Sequence, residues 1–251
     1  MLPLLKPIKK LVGWLDKGQQ RLADILDFAP RELGKCVRAF TLGRWLNKWV
    51  YRWKRMRKSL KHKRDEEAFE QAKLHLKTLH KQEKEQVLDV FYFDEMGVSL
   101  TPSVPYGWQM KGERILMPFK RSENQTVLGF VNKQLRNQFF LFKGAANSKV
   151  VVECFNQFAE TLTKKTVVVL DNATPHTSEF FRSHQQAWKE KGLYLFFIPA
   201  YSPELNIIER LWKEIKYSCL KPQSIFNETE LENQLMEILK NIGTKFNISF
   251  A

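Results

Sequence analysis

Runs of β-forming apolar residues, each stopped by a polar or turn-forming residue, punctuate the later part of the chain. "VLDVFYFDE", "QTVLGFVN", "FFLFKG", "TVVVLD" and "LYLFFIPA" are the clearest, and "RILMPF" is a further one. The near-continuous apolar runs before Asp94 and Asp171 predict central strands covered on both faces. Between and after these runs the apolar period changes to that of a helix, in "SKVVVECFNQFAETLTKK", "SEFFRSHQQAWKEKG", "SPELNIIERLWKEIKYSCL" and "ETELENQLMEILKNI". The prolines and glycines of "SLTPSVPYGWQMKG" predict hairpin turns. Antiparallel strands followed by β-α-β-α predict an α/β fold, a mixed sheet flanked by helices.

Upstream the pattern is helical throughout. Phe69, Ala72, Leu76 and Leu79 form one stripe of a connecting helix over residues 65–86. In "TLGRWLNKWVYRWKRMRKSLKHKR" Thr41 is the predicted N-cap, and Trp45, Trp49 and Trp53 recur every four residues. Arg44, Lys48, Arg52 and Arg55 then form a neighbouring basic stripe, as a helix entering a DNA groove requires.

Charge sharpens this division. Residues 1–64 hold 18 Lys/Arg and 4 Asp/Glu, which accounts for the whole formal charge of +14. The remainder holds 23 residues of each sign. Such a basic head on a neutral body predicts a polyanion-binding region over 1–64, a connector over 65–86 and a second domain over 87–251. From Arg44 to Arg64 there is no acid to pair with the bases, which favours nucleic acid over an ordinary solvated face or a lipid surface. The candidate DNA contacts are Arg44, Lys48, Arg52, Lys54, Arg55, Arg57 and Lys58. No apolar run reaches the roughly 20 residues that a bilayer demands. The start "MLPLLKPIKKLVGWL" has no small-residue cleavage site behind it, so a cytoplasmic, nucleoid-associated protein without membrane contact is expected. Cys36, Cys154 and Cys219 lack the spacing of a zinc site or a disulfide frame.

Three acids remain to be explained. Asp94 and Asp171 end the two strongest strand patterns. Glu209 follows Ser202 and Pro203, a predicted helix start, and lies on the edge of the stripe Leu205, Ile208, Trp212 and Ile215. That position predicts a partly buried carboxylate directed at the sheet, which needs a cation or a donor. Singly, each acid has a plain alternative: a turn cap for the aspartates, a structural ion pair for the glutamate. Together they are hard oxygen donors without His or Cys at zinc spacing, a set suited to Mg²⁺ or Mn²⁺.

"FYFDEMGVSLTPSVPYGW", "VVVLDNATPH" and "AYSPELNIIERLWKEIK" resemble the three signature segments of DDE transposases of bacterial insertion sequences related to mariner elements, the six-thirty insertion-sequence family. "SPELNIIE" is the most specific of them, and the likeness runs from about residue 40 to the C-terminus. The resemblance implies an RNase H-like catalytic domain behind a partial helix-turn-helix or winged-helix region. It implies that Asp94, Asp171 and Glu209 are the catalytic and metal-binding triad, holding two Mg²⁺ ions for which Mn²⁺ can substitute. It further implies strand cleavage at insertion-sequence ends and strand transfer into target DNA at a TA dinucleotide. Partners would be double-stranded DNA, both terminal inverted repeats and target, bound by a homodimer or larger assembly. Asn172 and His176, beside Asp171, are candidates for orienting water or DNA, set against ordinary roles in a turn and a helix start. Glu95 and Glu204 flank the triad segments. Family members carry a longer N-terminal region than precedes Thr41 here, so residues 1–64 are expected to be an incomplete reading head. Two other readings share these features: a transposase remnant that binds DNA as a repressor, and another RNase H-like nuclease.

Overall fold

The computed structural model describes residues 38–48, 51–52, 60–100, 124–221 and 227–246, with isolated positions 13, 26, 27, 30, 31, 34, 36, 248 and 250. The predicted strand "RILMPF" and the hairpin turns beyond Leu100 lie outside these residues. The chain divides into two compact units, Met1–Lys58 and Ser59–Ala251. No described helix is long and apolar enough to cross a membrane.

In the first unit helix α1, Ala39–Lys48, carries Arg44 and Lys48 exposed and Leu42 buried. Thr41 is inside this helix, not at its N-cap. The basic stripe is shorter than predicted, because Tyr51 and Arg52 are outside helical structure. The Arg52 guanidinium turns back to donate to the Asn47 carbonyl at 2.8 Å and to the Tyr51 carbonyl at 2.9 Å. Cations are favoured there, where the last carbonyls of a helix lack partners. Arg52 thus closes α1 where a continued helix would have made it a groove-facing base. Trp49, Trp53, Lys54, Arg55, Arg57 and Lys58 lie outside the described residues.

The second unit begins with a cap. Asp65 accepts from the Ala68 N–H at 3.0 Å and opens helix α2, Glu66–Lys84. Its stripe of Phe69, Ala72, Leu76 and Leu79 is buried, as its spacing predicts. Strand β1, Asp89–Val98, runs antiparallel to β2, Gln125–Val131, which pairs antiparallel with β3, Asn137–Lys143. Helix α3, Ser148–Glu160, leads to β4, Thr166–Leu170, parallel to β1. Short helices α4, Thr174–Thr177, α5, Glu179–Ser183, and α6, Gln185–Glu190, precede β5, Leu193–Phe197, parallel to β4. The predicted single helix over "SEFFRSHQQAWKEKG" is divided at His184. There Ser183 Oγ and the His184 ring both bond the Phe180 carbonyl at 2.8 Å, and the His184 N–H turns to Phe181 instead. Helix α7, Ile208–Glu214, runs into a π-helical turn, Ile215–Cys219, and α8, Glu228–Lys240, follows.

The sheet order is β3-β2-β1-β4-β5, an RNase H-like mixed sheet with helices on both faces. Strand parity sorts the core into two layers. Val90, Tyr92 and Met96 of β1, with Val167 and Val169 of β4, face the layer of α2, α7 and α8. Phe91 and Phe93, with Val168 and Leu170, face the aromatic layer of α3, α5 and α6. This parity sets which face carries Asp94.

Candidate active site

Asp94 has the parity of Tyr92 and Met96, and Asp171 that of Val167 and Val169. The Asp94 carboxylate therefore falls on the face that α7 covers, while Asp171, one residue past the end of β4, is bonded by His176, which packs against Phe93 of the other layer. β1 and β4 are parallel, and each acid stands two residues beyond the pair Tyr92↔Val169. Neighbouring strands lie about 4.8 Å apart, so this register brings the two acids near one another at the end of the β1–β4 pairing, and the Asp171 charge reaches Asp94.

Helix α7 is seated by a close approach. Gly129 is the cross-strand partner of Asp94, and a Cβ there would stand 2.7 Å from the Trp212 ring and 2.7 Å from Phe139. Glycine at that place lets Trp212 lie directly on the sheet, and Trp212 is one turn from Glu209. Ile208, Leu211, Trp212 and Ile215 are buried, as their spacing predicts. Glu209 itself is exposed, not partly buried, because it lies at the outer edge of that stripe.

The helix start also differs from the prediction. Pro203–Leu205 is a single 3₁₀ turn, and Asn206 is extended, with φ −105° and ψ 102°, before α7 begins. Ser202 caps nothing with its side chain; its hydroxyl donates to the Ala200 carbonyl at 3.3 Å. A long-range bond accompanies the break. Asn206, 4% exposed, donates from Nδ2 to the Phe93 carbonyl at 3.0 Å. That bond ties the start of α7 to the residue before Asp94, while Asn206 Oδ1 is buried without a partner. Sequence reading passed over Asn206; an asparagine amid "ELNIIE", where an apolar residue would serve a helix better, was the available signal.

Three further contacts fix the neighbourhood. His176, 1% exposed, places Nδ1 2.9 Å from Asp171 Oδ1, and the Ala173 N–H donates to the same oxygen at 3.1 Å. A carboxylate only accepts, so His176 Nδ1 carries the proton. Its Nε2 is buried without a partner, with the Phe93 ring edge-on at 5.4 Å. Asn172 Nδ2 donates to the Ile198 carbonyl at 2.7 Å, and the Ile198 N–H donates to Leu170 at 2.9 Å. On the outer side Arg64, its side chain 10% exposed, bonds Glu204 at 2.6 Å and Glu66 at 2.8 Å, with Phe69 under its guanidinium at 3.9 Å. Lys61 reaches Glu204 as well, at 2.8 Å. The segment from Ile198 to Asn206 is thus held beside Asp171 at one end, beside Asp94 at the other, and through Glu204 on its outer side. At its middle Tyr201 adopts φ 60°, a left-handed conformation that costs a non-glycine residue about 1–2 kcal/mol.

The acids share one electrostatic field. Burial raises the Asp94 carboxyl to about 8, helped by Glu209 and Asp171 and opposed by the Glu95 N–H that it accepts. Glu209 is raised, first by desolvation of its carboxyl end and then by Asp171. At Asp171 burial pushes upward, but the His176 and Ala173 hydrogen bonds prevail and hold it below the usual carboxylate range. Among the described residues no three His, Cys, Asp or Glu side chains close to metal-holding distance. The donor chemistry nevertheless suits a hard divalent cation: oxygen ligands that repel one another, with the Asp94 carboxyl raised by burial and by that repulsion.

The DDE superfamily endonuclease family matches residues 89–232, more than half of the chain. The chain belongs to the DDE superfamily endonucleases. Within that family it is similar to the insertion element IS630 uncharacterized 39 kDa protein of Shigella sonnei, 26% identical over 238 residues, 91% of this chain and 67% of that one. Its fold is similar to the Mos1 mariner paired-end complex with Mn, at a TM-score of 0.64 and 15% identity, covering 92% of this chain and 70% of that one. The Mos1 paired-end complex with the left transposon end gives a TM-score of 0.61 at 14% identity, again over 92% and 70%.

Proposed function

We propose that this DDE endonuclease acts as the transposase of an insertion sequence, with Asp94, Asp171 and Glu209 as its catalytic carboxylates. The observation that supports this most is the meeting of the three acids: Asp94 within β1 on the face covered by α7, Asp171 just past the end of β4, and Glu209 on α7, with Asp94 raised to about 8 by burial first and by Glu209 and Asp171 after it. Asp171 would present Oδ2 to a cation, since His176 and Ala173 hold Oδ1. Asp94 would lie between Asp171 and Glu209 and lose its proton on loading. A pair of Mg²⁺ or Mn²⁺ ions would supply charge neutralisation at the attacking and leaving oxygens and a more acidic water. Water then attacks a phosphorus at the element end in line, the bond from phosphorus to the 3′-oxygen breaks, and a 3′-OH is freed. That hydroxyl attacks a target phosphodiester in the same way, with a TA dinucleotide as the target implied by the family. Asn206 and Asn172 act as positioning residues that keep the strand ends and α7 in register. Arg44 and Lys48 belong to the basic head that holds DNA, as a homodimer or larger assembly on the two ends.

The test is metal-dependent cleavage of terminal-repeat duplex, random duplex and RNA–DNA hybrid. Asp94→Asn, Asp171→Asn and Glu209→Gln should each lower cleavage by roughly 10²–10³-fold or more, since each removes metal-borne charge stabilisation worth several kcal/mol. Folding and DNA binding should persist. Near-normal Mg²⁺-dependent cleavage by Glu209→Gln would sink the assignment.

A further inference from the structure

We infer that Tyr201 is a stacking platform for a nucleobase of the DNA strand at the active site. Its position is the first reason. Tyr201 is at the middle of the Ile198–Asn206 segment, which begins with a backbone bond to Leu170, next to Asp171, and ends with the Asn206 bond to Phe93, next to Asp94. The segment that carries Tyr201 therefore spans from one acid to the other. The second reason is strain. Tyr201 holds φ 60°, and of the described non-glycine residues only Gln86 and Leu135 share a positive φ. A turn that needed this conformation alone would be better served by glycine or asparagine. The third reason is that the ring reaches the surface without a polar or aromatic partner. Tyr201 is 42% exposed and makes no side-chain hydrogen bond or ring contact among the described residues. Strained, exposed residues persist where the surroundings over-determine them, and here the ties from Asn172, Asn206 and Glu204 do so. A solvent-reaching aromatic ring on a segment tied beside two acids that repel phosphate is suited to the face of a base. Stacking of that kind accepts any base, so it positions a strand end without reading its sequence.

The inference rests on the proposed action on DNA, and the test separates the two. A duplex with a short 3′ single-stranded tail carrying 2-aminopurine is bound to the full chain with Ca²⁺ present. Wild type and Tyr201→Phe should quench the probe alike. Tyr201→Ala and Tyr201→Gly should lose the quench and bind the tail about five- to a hundredfold more weakly. Tyr201→Gly should at the same time melt no lower than Tyr201→Ala, because glycine relieves the backbone at φ 60°. Unchanged quenching in Tyr201→Ala, or equal loss in Tyr201→Phe, would overturn the platform. A Tyr201→Gly variant melting below Tyr201→Ala would overturn the argument from strain. A wild type that cleaves DNA without quenching the probe overturns the platform alone. One that quenches but never cleaves with Mg²⁺ overturns the nuclease reading and keeps the platform.

Discussion

At the scale of single residues, Asp94 is the most informative. Without a metal, burial and the neighbouring acids push its carboxyl up to about 8, whereas an unfolded chain releases that proton near 4. Between those values the native state binds a proton that the unfolded state does not. Stability therefore falls as pH rises from about 4 to 8, by at most about 1.4 kcal/mol per unit and a few kcal/mol in all. Melting temperatures in EDTA should decline from pH 5 to pH 8, Asp94→Asn should flatten the decline, and saturating Mg²⁺ should do the same. A flat wild-type profile in EDTA would show that burial and the neighbouring acids do not raise Asp94. Asn206 offers a second check. Asn206→Ala leaves the buried Phe93 carbonyl without its donor, at about 1–3 kcal/mol, and should reduce cleavage more than DNA affinity. The three acids could be picked out from the sequence because each follows an apolar pattern, although β1 runs on past Asp94 to Val98 and the expected cap at Ser202 does not form. Asn206, Tyr201 and the His176 bond to Asp171 could not, because each depends on which segments meet in space.

At the scale of elements, the seat of α7 on β2 carries the geometry of Glu209. Gly129→Ala forces a methyl to within 2.7 Å of Trp212 and Phe139, in a core with no slack. Overpacking of this kind costs about 1–3 kcal/mol, and it should displace α7 and reduce cleavage at least tenfold while the basic head still binds DNA. Thermal melting with a cleavage assay checks both parts; intact cleavage would mean that α7 adjusts without moving Glu209. The elements also show where periodicity misleads. The stripe Leu205, Ile208, Trp212 and Ile215 reads as one helix, and all four residues are buried, yet the backbone breaks at Asn206. Burial periodicity survives a 3₁₀-to-α junction, so it locates a face and not a continuous backbone. The same holds at His184, where side chains take over a backbone acceptor.

At the scale of the whole molecule, charge is the dominant asymmetry. All the formal excess lies in residues 1–64. If that region neutralises on the order of 6–10 phosphates, affinity should fall by roughly 10³–10⁵ between 50 and 200 mM salt. Arg44→Glu with Lys48→Glu should flatten this slope measurably, whereas Arg52→Glu should act mainly by weakening the end of α1. An unchanged slope in the double variant would place the DNA surface elsewhere.

The parallel register of β1 and β4 has a consequence for how the gene can change length. A single inserted codon between Val90 and Phe93 would shift Asp94 by one residue and turn it to the aromatic face, away from Glu209. Two inserted codons would restore the face but carry the acid about 6–7 Å along the strand, past Asp171. The strand is thus intolerant of insertions in both frames of its own two-residue alternation. Among in-frame insertion libraries, active clones should be depleted across 89–94 and 166–171 and retained in the turn at Lys133–Gln134.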